Sequence, residues 1–193
     1  MADVVAFKPF ARDPRLAVCA DFNEARLARA PELGFWGSLV CNEQTMAFAE
    51  KLERCKDLED LLPLNLNETR GKYGIMGSMP EDSLADELMH EWSAIVRPLF
   101  SRVAPTIRFF NAYGLHTLQQ PHFDPILAAV ITTAPHIIIH TPDGDSYSPD
   151  KGTCVVMDGL KPEIYGKTGI IHNAPRGRPG QGARLTLNAN GYG

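Results

Sequence analysis

The sequence predicts an α+β protein whose first half supplies helices and whose second half supplies the β core that they buttress. Three observations carry this. Up to about residue 105, apolar residues recur every three or four positions, which is the helical period. From Thr106 onward the segments shorten, β-branched residues concentrate, and turn residues fall at intervals of about ten, as in a sandwich, barrel or jelly roll. The length of 193 residues, with 44% hydrophobic and 22% charged residues, supports one core and excludes a largely disordered chain.

Taken in order, Asp21 with Glu24 three positions on forms a capping-box pattern that opens a short helix over 21–30. Phe48, Leu52, Cys55 and Leu58 give an amphipathic stripe over 44–59. Leu84, Leu88, Trp92, Ile95 and Leu99 give another, with Pro80 at its start and Pro98 kinking or ending it. Both stripes read as core faces. Strands are expected over 106–113, 126–133, 136–141, 153–157, 163–165, 169–173 and 183–188. Turn chemistry separates them at Pro142-Asp143-Gly144-Asp145, at Asp158-Gly159 and in the loop 174–182, APRGRPGQG.

Charge and cysteine usage narrow the partners. With 19 Lys and Arg against 23 Asp and Glu, the net charge is −4, and nucleic acid is disfavoured for want of a basic footprint. Cys19, Cys41, Cys55 and Cys154 form no C-x-x-C pair and no cluster, so they read as reduced packing residues. The N-terminal MADVVAFKPFARD lacks the basic-then-apolar layout of a signal peptide, and a cytoplasmic location is expected. The stretch Pro125 to Pro142 has no Asp, Glu, Lys or Arg, but Pro135, His136 and His140 make it two buried strands, not a membrane span. The helical stripes fit a core or a partner copy equally, so both oligomeric states stay open at this point.

The chemistry concentrates in the β half. His122 and Asp124 sit two apart in QQPHFDP, so on an extended backbone both leave one face and can converge on an ion. Phe123 then points the other way, into a packing layer. Alone, this pair reads first as a turn or a surface ion pair. His172, in GIIHNAP, stands 48 residues beyond Asp124 and would complete a set of two imidazoles and one carboxylate. That facial triad suits Fe(II), because open positions remain for oxygen and a bidentate co-substrate. Arg184 follows 12 residues after His172 in ARLTLNA, and with Thr186 it offers a guanidinium fork and a hydroxyl to one carboxylate.

The set His122-x-Asp124, His172 and Arg184-x-Thr186 resembles the iron(II)- and 2-oxoglutarate-dependent dioxygenases, in particular the branch similar to isopenicillin N synthase. Asn111-Ala112-Tyr113 looks like the Asn-x-Tyr element of that branch, and GTCVVMDG at 152–159 is similar to the strand and turn before its distal histidine. Thr186 stands where many members have Ser, and Asp158-Gly159 reverses their common Gly-Asp order. The resemblance covers roughly 107–188. It implies a double-stranded β-helix, a jelly roll, as the core of a single domain over 1–193, with 1–105 as mainly helical support and substrate cover and 106–193 as the core with the metal site.

It also implies roles. His122, Asp124 and His172 would hold Fe(II); Arg184, Thr186, Tyr113 and Asn111 would bind 2-oxoglutarate; O2 would be the other co-substrate. Asp124 is a carboxylate where halogenating members have Gly or Ala, so hydroxylation of a small molecule, or a related desaturation or demethylation, is expected. Two alternatives stand beside it: oxidation or demethylation of a modified nucleobase, needing a basic face from residues such as Arg102, Arg108, Arg176 and Arg178, and a non-catalytic jelly-roll binding module. His136 and His140 read as an outward polar pair, His116, Arg176 and Arg178 as loop residues, and Gly71–Met79 as an ordinary loop or a flap.

Overall fold

The computed structural model describes residues 8–10, 12–55, 74–75, 84–100, 107–113, 119–133, 137–159, 169–174 and 184–191. In chain order the elements are β1 (Lys8–Phe10), β2 (Asp13–Cys19), α1 (Phe22–Leu27), β3 (Gly37–Val40), α2 (Glu43–Cys55), β4 (Gly74–Ile75) and α3 (Leu84–Val96). There follow β5 (Ile107–Tyr113), β6 (Gln119–His122), β7 (Leu127–Thr132), β8 (Ile138–His140), β9 (Ser146–Tyr147), β10 (Cys154–Asp158), β11 (His172–Ala174) and β12 (Arg184–Gly191).

The helices form where the sequence places them, and their caps explain the ends. Asp21 accepts hydrogen bonds from the Asn23 and Glu24 amides, while the Glu24 carboxylate reaches back to the Ala20 amide at 2.8 Å. Asn42 caps α2 in the same way, exchanging hydrogen bonds with Thr45, and its side-chain amide also donates to the Ala20 carbonyl. The α3 helix stops at Val96, and Pro98 lies in the 3-10 turn Arg97–Leu99 that follows.

The strands assemble into two sheets. The larger has the order β1-β2-β3-β10-β7-β12-β5-β4, and the smaller has the order β6-β11-β8-β9. Every pairing is antiparallel except β2 with β3. In the large sheet, β7 and β10 are buried on both faces. Leu127, Ala129 and Ile131 of β7 and Cys154 and Val156 of β10 join Phe48, Leu88, Trp92 and the other apolar residues of the helices in one cluster. Ala128, Val130, Val155 and Met157, the alternate residues of the same strands, pack instead with Ile137, Ile139 and Tyr147 on the side of the small sheet. The layers are therefore helices, large sheet, small sheet.

Several expectations need correction. The first half is not only helical, because β1, β2 and β3 extend the large sheet beyond β10. β3 has four buried residues with no polar alternation, and β2 turns the Asp13 carboxylate inward, so neither carries a strand signature. β6 and β9 also escape a sequence reading, the first because Pro121 interrupts it and the second because it is two residues long. The strand expected at 169–173 begins at His172 and runs to Ala174, and the one expected at 183–188 runs on to Gly191. The expected strand 163–165 and the helical turns beyond Cys55 lie outside the described residues. Among the described residues no helix is long and apolar enough to cross a membrane.

Candidate metal centre

The site is assembled by the small sheet and by the bend leading out of it. β6 and β11 pair so that His122 lies directly opposite His172. Cross-strand neighbours on one face come close, and here the two imidazole centroids are 4.4 Å apart with a 50° angle between the rings. Asp124, two residues past the end of β6, brings its carboxylate to both: Oδ1 is 3.8 Å from His122 Nε2 and Oδ2 is 3.7 Å from His172 Nε2. One ligand atom from each residue lies within 4.8 Å of the others, so a single cation can be held by all three.

Backbone carbonyls orient the rings. His122 Nδ1 donates to the Gln120 carbonyl at 2.8 Å, and His172 Nδ1 donates to the Ile170 carbonyl at 3.2 Å. Each bond fixes the proton on Nδ1, which leaves the Nε2 lone pair as the donor to a metal. His172 is buried, and burial holds its pKa below the ordinary imidazole value, with the nearby Asp124 carboxylate opposing and His122 adding to the depression. A neutral imidazole is the form that coordinates. The donor set of two imidazoles and one carboxylate matches a divalent transition metal better than calcium or magnesium, which take oxygen ligands.

The sequence-predicted residues fall into three groups. His122, Asp124 and His172 come together. Arg184, Thr186, Tyr113 and Asn111 lie on adjacent strands of the large sheet, where the register sets Arg184 opposite Tyr113, and Thr186 between Asn111 and Thr132. His116, His136, Arg176 and Arg178 lie outside the described residues, as does Gly71–Met79 apart from Gly74–Ile75. Phe123 does not enter a packing layer: it is 38% exposed, since it sits on the bend after β6 where strand alternation has ended. His140 is half-buried, and its Nε2 is 2.7 Å from the Asn173 side-chain oxygen on the neighbouring strand.

Sequence reading misses what lies against Asp124. Gly159 stands at the end of β10, and a Cβ there would overlap the Asp124 carbonyl oxygen and lie 2.7 Å from its carbonyl carbon. The Asp158-Gly159 pair reads only as a turn; its partner is a segment more than thirty residues earlier, which local sequence does not reveal.

No family model matches the chain, and no curated protein matches it. Solved structures do. The full-length thymine-7-hydroxylase of Neurospora crassa in complex with alpha-KG is 12% identical with a TM-score of 0.53, over 93% of this chain and 84% of that one. The same protein in complex with alpha-KG and 5-formyluracil is 12% identical with a TM-score of 0.52, over 93% and 84%. Its C-terminally truncated apo form is 12% identical with a TM-score of 0.52, over 98% of this chain and 100% of that one. At this identity the likeness is one of architecture, and the chain shares the fold of the Neurospora crassa hydroxylase over nearly its full length.

Proposed function

We propose that this protein is an Fe(II)- and 2-oxoglutarate-dependent dioxygenase that hydroxylates a small molecule. The convergence of His122, Asp124 and His172, each from a different part of the small sheet or its bend, carries the reading. The order β5-β12-β7-β10 in one sheet and β6-β11-β8-β9 in the other supports a double-stranded β-helix around them, and the alpha-KG held by the structurally similar Neurospora crassa enzyme supports the co-substrate.

Bound at the triad, iron would supply the activation of O2 that couples decarboxylation of 2-oxoglutarate, giving succinate and carbon dioxide, to oxidation of the substrate. The protein's own residues hold and orient. The Gln120 and Ile170 carbonyls keep both imidazoles facing inward through Nε2, and the burial of His172 keeps it neutral. Arg184, at the start of β12, would bind the distal carboxylate of 2-oxoglutarate, together with Thr186, Tyr113 and Asn111, where the register sets Arg184 opposite Tyr113 and Thr186 opposite Asn111. A reducing, cytoplasmic setting belongs to the same reading, supported by free cysteines at 19, 41, 55 and 154.

The test is an anaerobic titration with Fe(II) and then 2-oxoglutarate, followed by the weak visible band of the chelated keto acid. The band is expected in the wild type, lost in His172→Ala, and shifted to much higher 2-oxoglutarate concentration in Arg184→Ala. Its absence from folded, iron-loaded wild type overturns the reading and leaves a non-catalytic jelly-roll module. A second reading, oxidation or demethylation of a modified nucleobase, is favoured by the 5-formyluracil bound to the Neurospora crassa enzyme. Succinate release with free modified nucleobases, against a panel of amino acids, decides between them.

A further inference from the structure

We infer that Arg29, Asp158 and Gly159 form a brace that sets the position of Asp124, so that Arg29 and Gly159 are positioning residues for the metal centre; the inference rests on the iron reading above. The three ligands are not held alike. His122 and His172 are fixed by a strand pairing and by backbone carbonyls at 2.8 and 3.2 Å. Asp124 lies off the strand, on the bend that carries the chain from the small sheet to Leu127 of the large one.

That bend is gripped by the end of β10. The Gly159 amide donates to the Ile126 carbonyl at 3.0 Å, and Asp158 pairs with Leu127 in the sheet. Gly159 has room for no side chain, because a Cβ would overlap the Asp124 carbonyl oxygen and approach the Ile126 nitrogen to 2.9 Å. Any other residue pushes Asp124 away. Asp158 is anchored in turn: its amide donates to the Trp36 carbonyl at 2.9 Å, and its fully buried carboxylate accepts from Arg29 Nε at 2.8 Å. Arg29 Nη1 also donates to the Leu99 carbonyl at 3.1 Å. One guanidinium, standing just past α1, thus ties the helical layer to the residue beside Gly159. A shift of that layer is passed to the carboxylate ligand without touching either histidine.

Co(II) titration followed by its visible d–d bands reads ligand geometry as well as affinity. Gly159→Ala is expected to bind Co(II) roughly tenfold or more weakly and with altered bands, the effect typical of groups that orient metal ligands. Gly152→Ala is the control, since its φ of +80° and the overlap of a Cβ with Met46 strain the opposite end of β10, away from the ligands and from the brace. It should lower the melting temperature while leaving Co(II) affinity within about twofold of wild type. Should Gly159→Ala not fold, Arg29→Lys keeps the charge but loses the fork to Leu99, and an affinity about threefold or more below wild type is expected.

The brace is overturned if folded Gly159→Ala binds Co(II) like wild type, if Gly152→Ala weakens binding equally, or if the Arg29→Lys substitute binds like wild type. Wild type that binds no Co(II) at all overturns the iron reading and the brace together, which separates the two failures.

Discussion

Burial sets the chemistry of single side chains away from the metal site as well as at it. Cys19 and Cys154 are buried, whereas Cys41 is exposed and Cys55 half-buried. Burial pushes the Cys19 thiol up to about 12, helped by the Glu24 and Asp21 carboxylates and opposed by a hydrogen bond with Ser38, and it raises Cys154 too. Thiolate is the reactive form, so iodoacetamide at pH 8 should label Cys41 first and leave Cys19 and Cys154 unmodified until the chain unfolds, as peptide mass mapping will show. The same shift predicts a pH dependence. The folded state holds the Cys19 proton more tightly than the unfolded one, so this contribution is full below pH 9.0 and is lost as pH rises toward about 12. The urea midpoint should fall across that window and fall less in Cys19→Ala, relative to its own value at pH 8. Legibility in the sequence follows a similar division at this scale. The spacing of His122 and Asp124 is readable because strand alternation is local, and His172 is readable once a resemblance supplies the third ligand. Arg29 is not, because its partner Asp158 is 129 residues away and neither residue is distinctive in its own segment.

Among the elements, α3 is the one whose loss should cost most. Trp92 is fully buried, stacked on Phe48 at 5.2 Å and meeting Phe22 edge-on at 6.1 Å, so a single residue joins α1, α2 and α3. Trp92→Ala should destabilise by about 3–5 kcal/mol in urea unfolding. Trp92→Phe should cost clearly less, since it keeps the ring contacts and removes an indole N–H that has no hydrogen-bond partner among the described residues. A larger loss for Phe than for Ala would refute this packing account. The helices are legible because each buries one face only, leaving the 3.6-residue period visible in the sequence. The strands of the large sheet are legible where composition and length both allow it, which excludes the seven-residue β2 with its inward Asp13. β7 and β10 show as apolar runs of six and five residues and β5 and β12 as longer segments of mixed apolar and polar residues, but β3 of the same sheet, and β6 and β9 of the small one, are too short to carry a pattern.

At the scale of the whole molecule, the large sheet is the shared wall of two cores. Trp92 belongs to the cluster on its helical side and Trp36 to the cluster facing the small sheet, and the chain has two tryptophans in all. Because alternate residues of β7 and β10 enter both clusters, neither core can open while the other persists. Fluorescence of Trp36→Phe and of Trp92→Phe should each give one transition, coincident with far-UV circular dichroism of the same variant. The metal centre belongs to this cooperative unit, since His122, Asp124 and His172 meet only when β6 pairs with β11 and the bend is held against β10. A cation that binds the folded state alone must therefore raise its stability. At a hundredfold excess over its Kd, Co(II) should contribute about 2.7 kcal/mol. For a chain of this size that corresponds to a rise of about 5–10 °C in melting temperature, reversed by EDTA. Asp124→Ala and His172→Ala should abolish most of the rise, while Gly152→Ala should retain it from a lower starting point. A rise of equal size in Asp124→Ala would show that the cation acts elsewhere on the molecule, and the triad would then lose its claim to the metal.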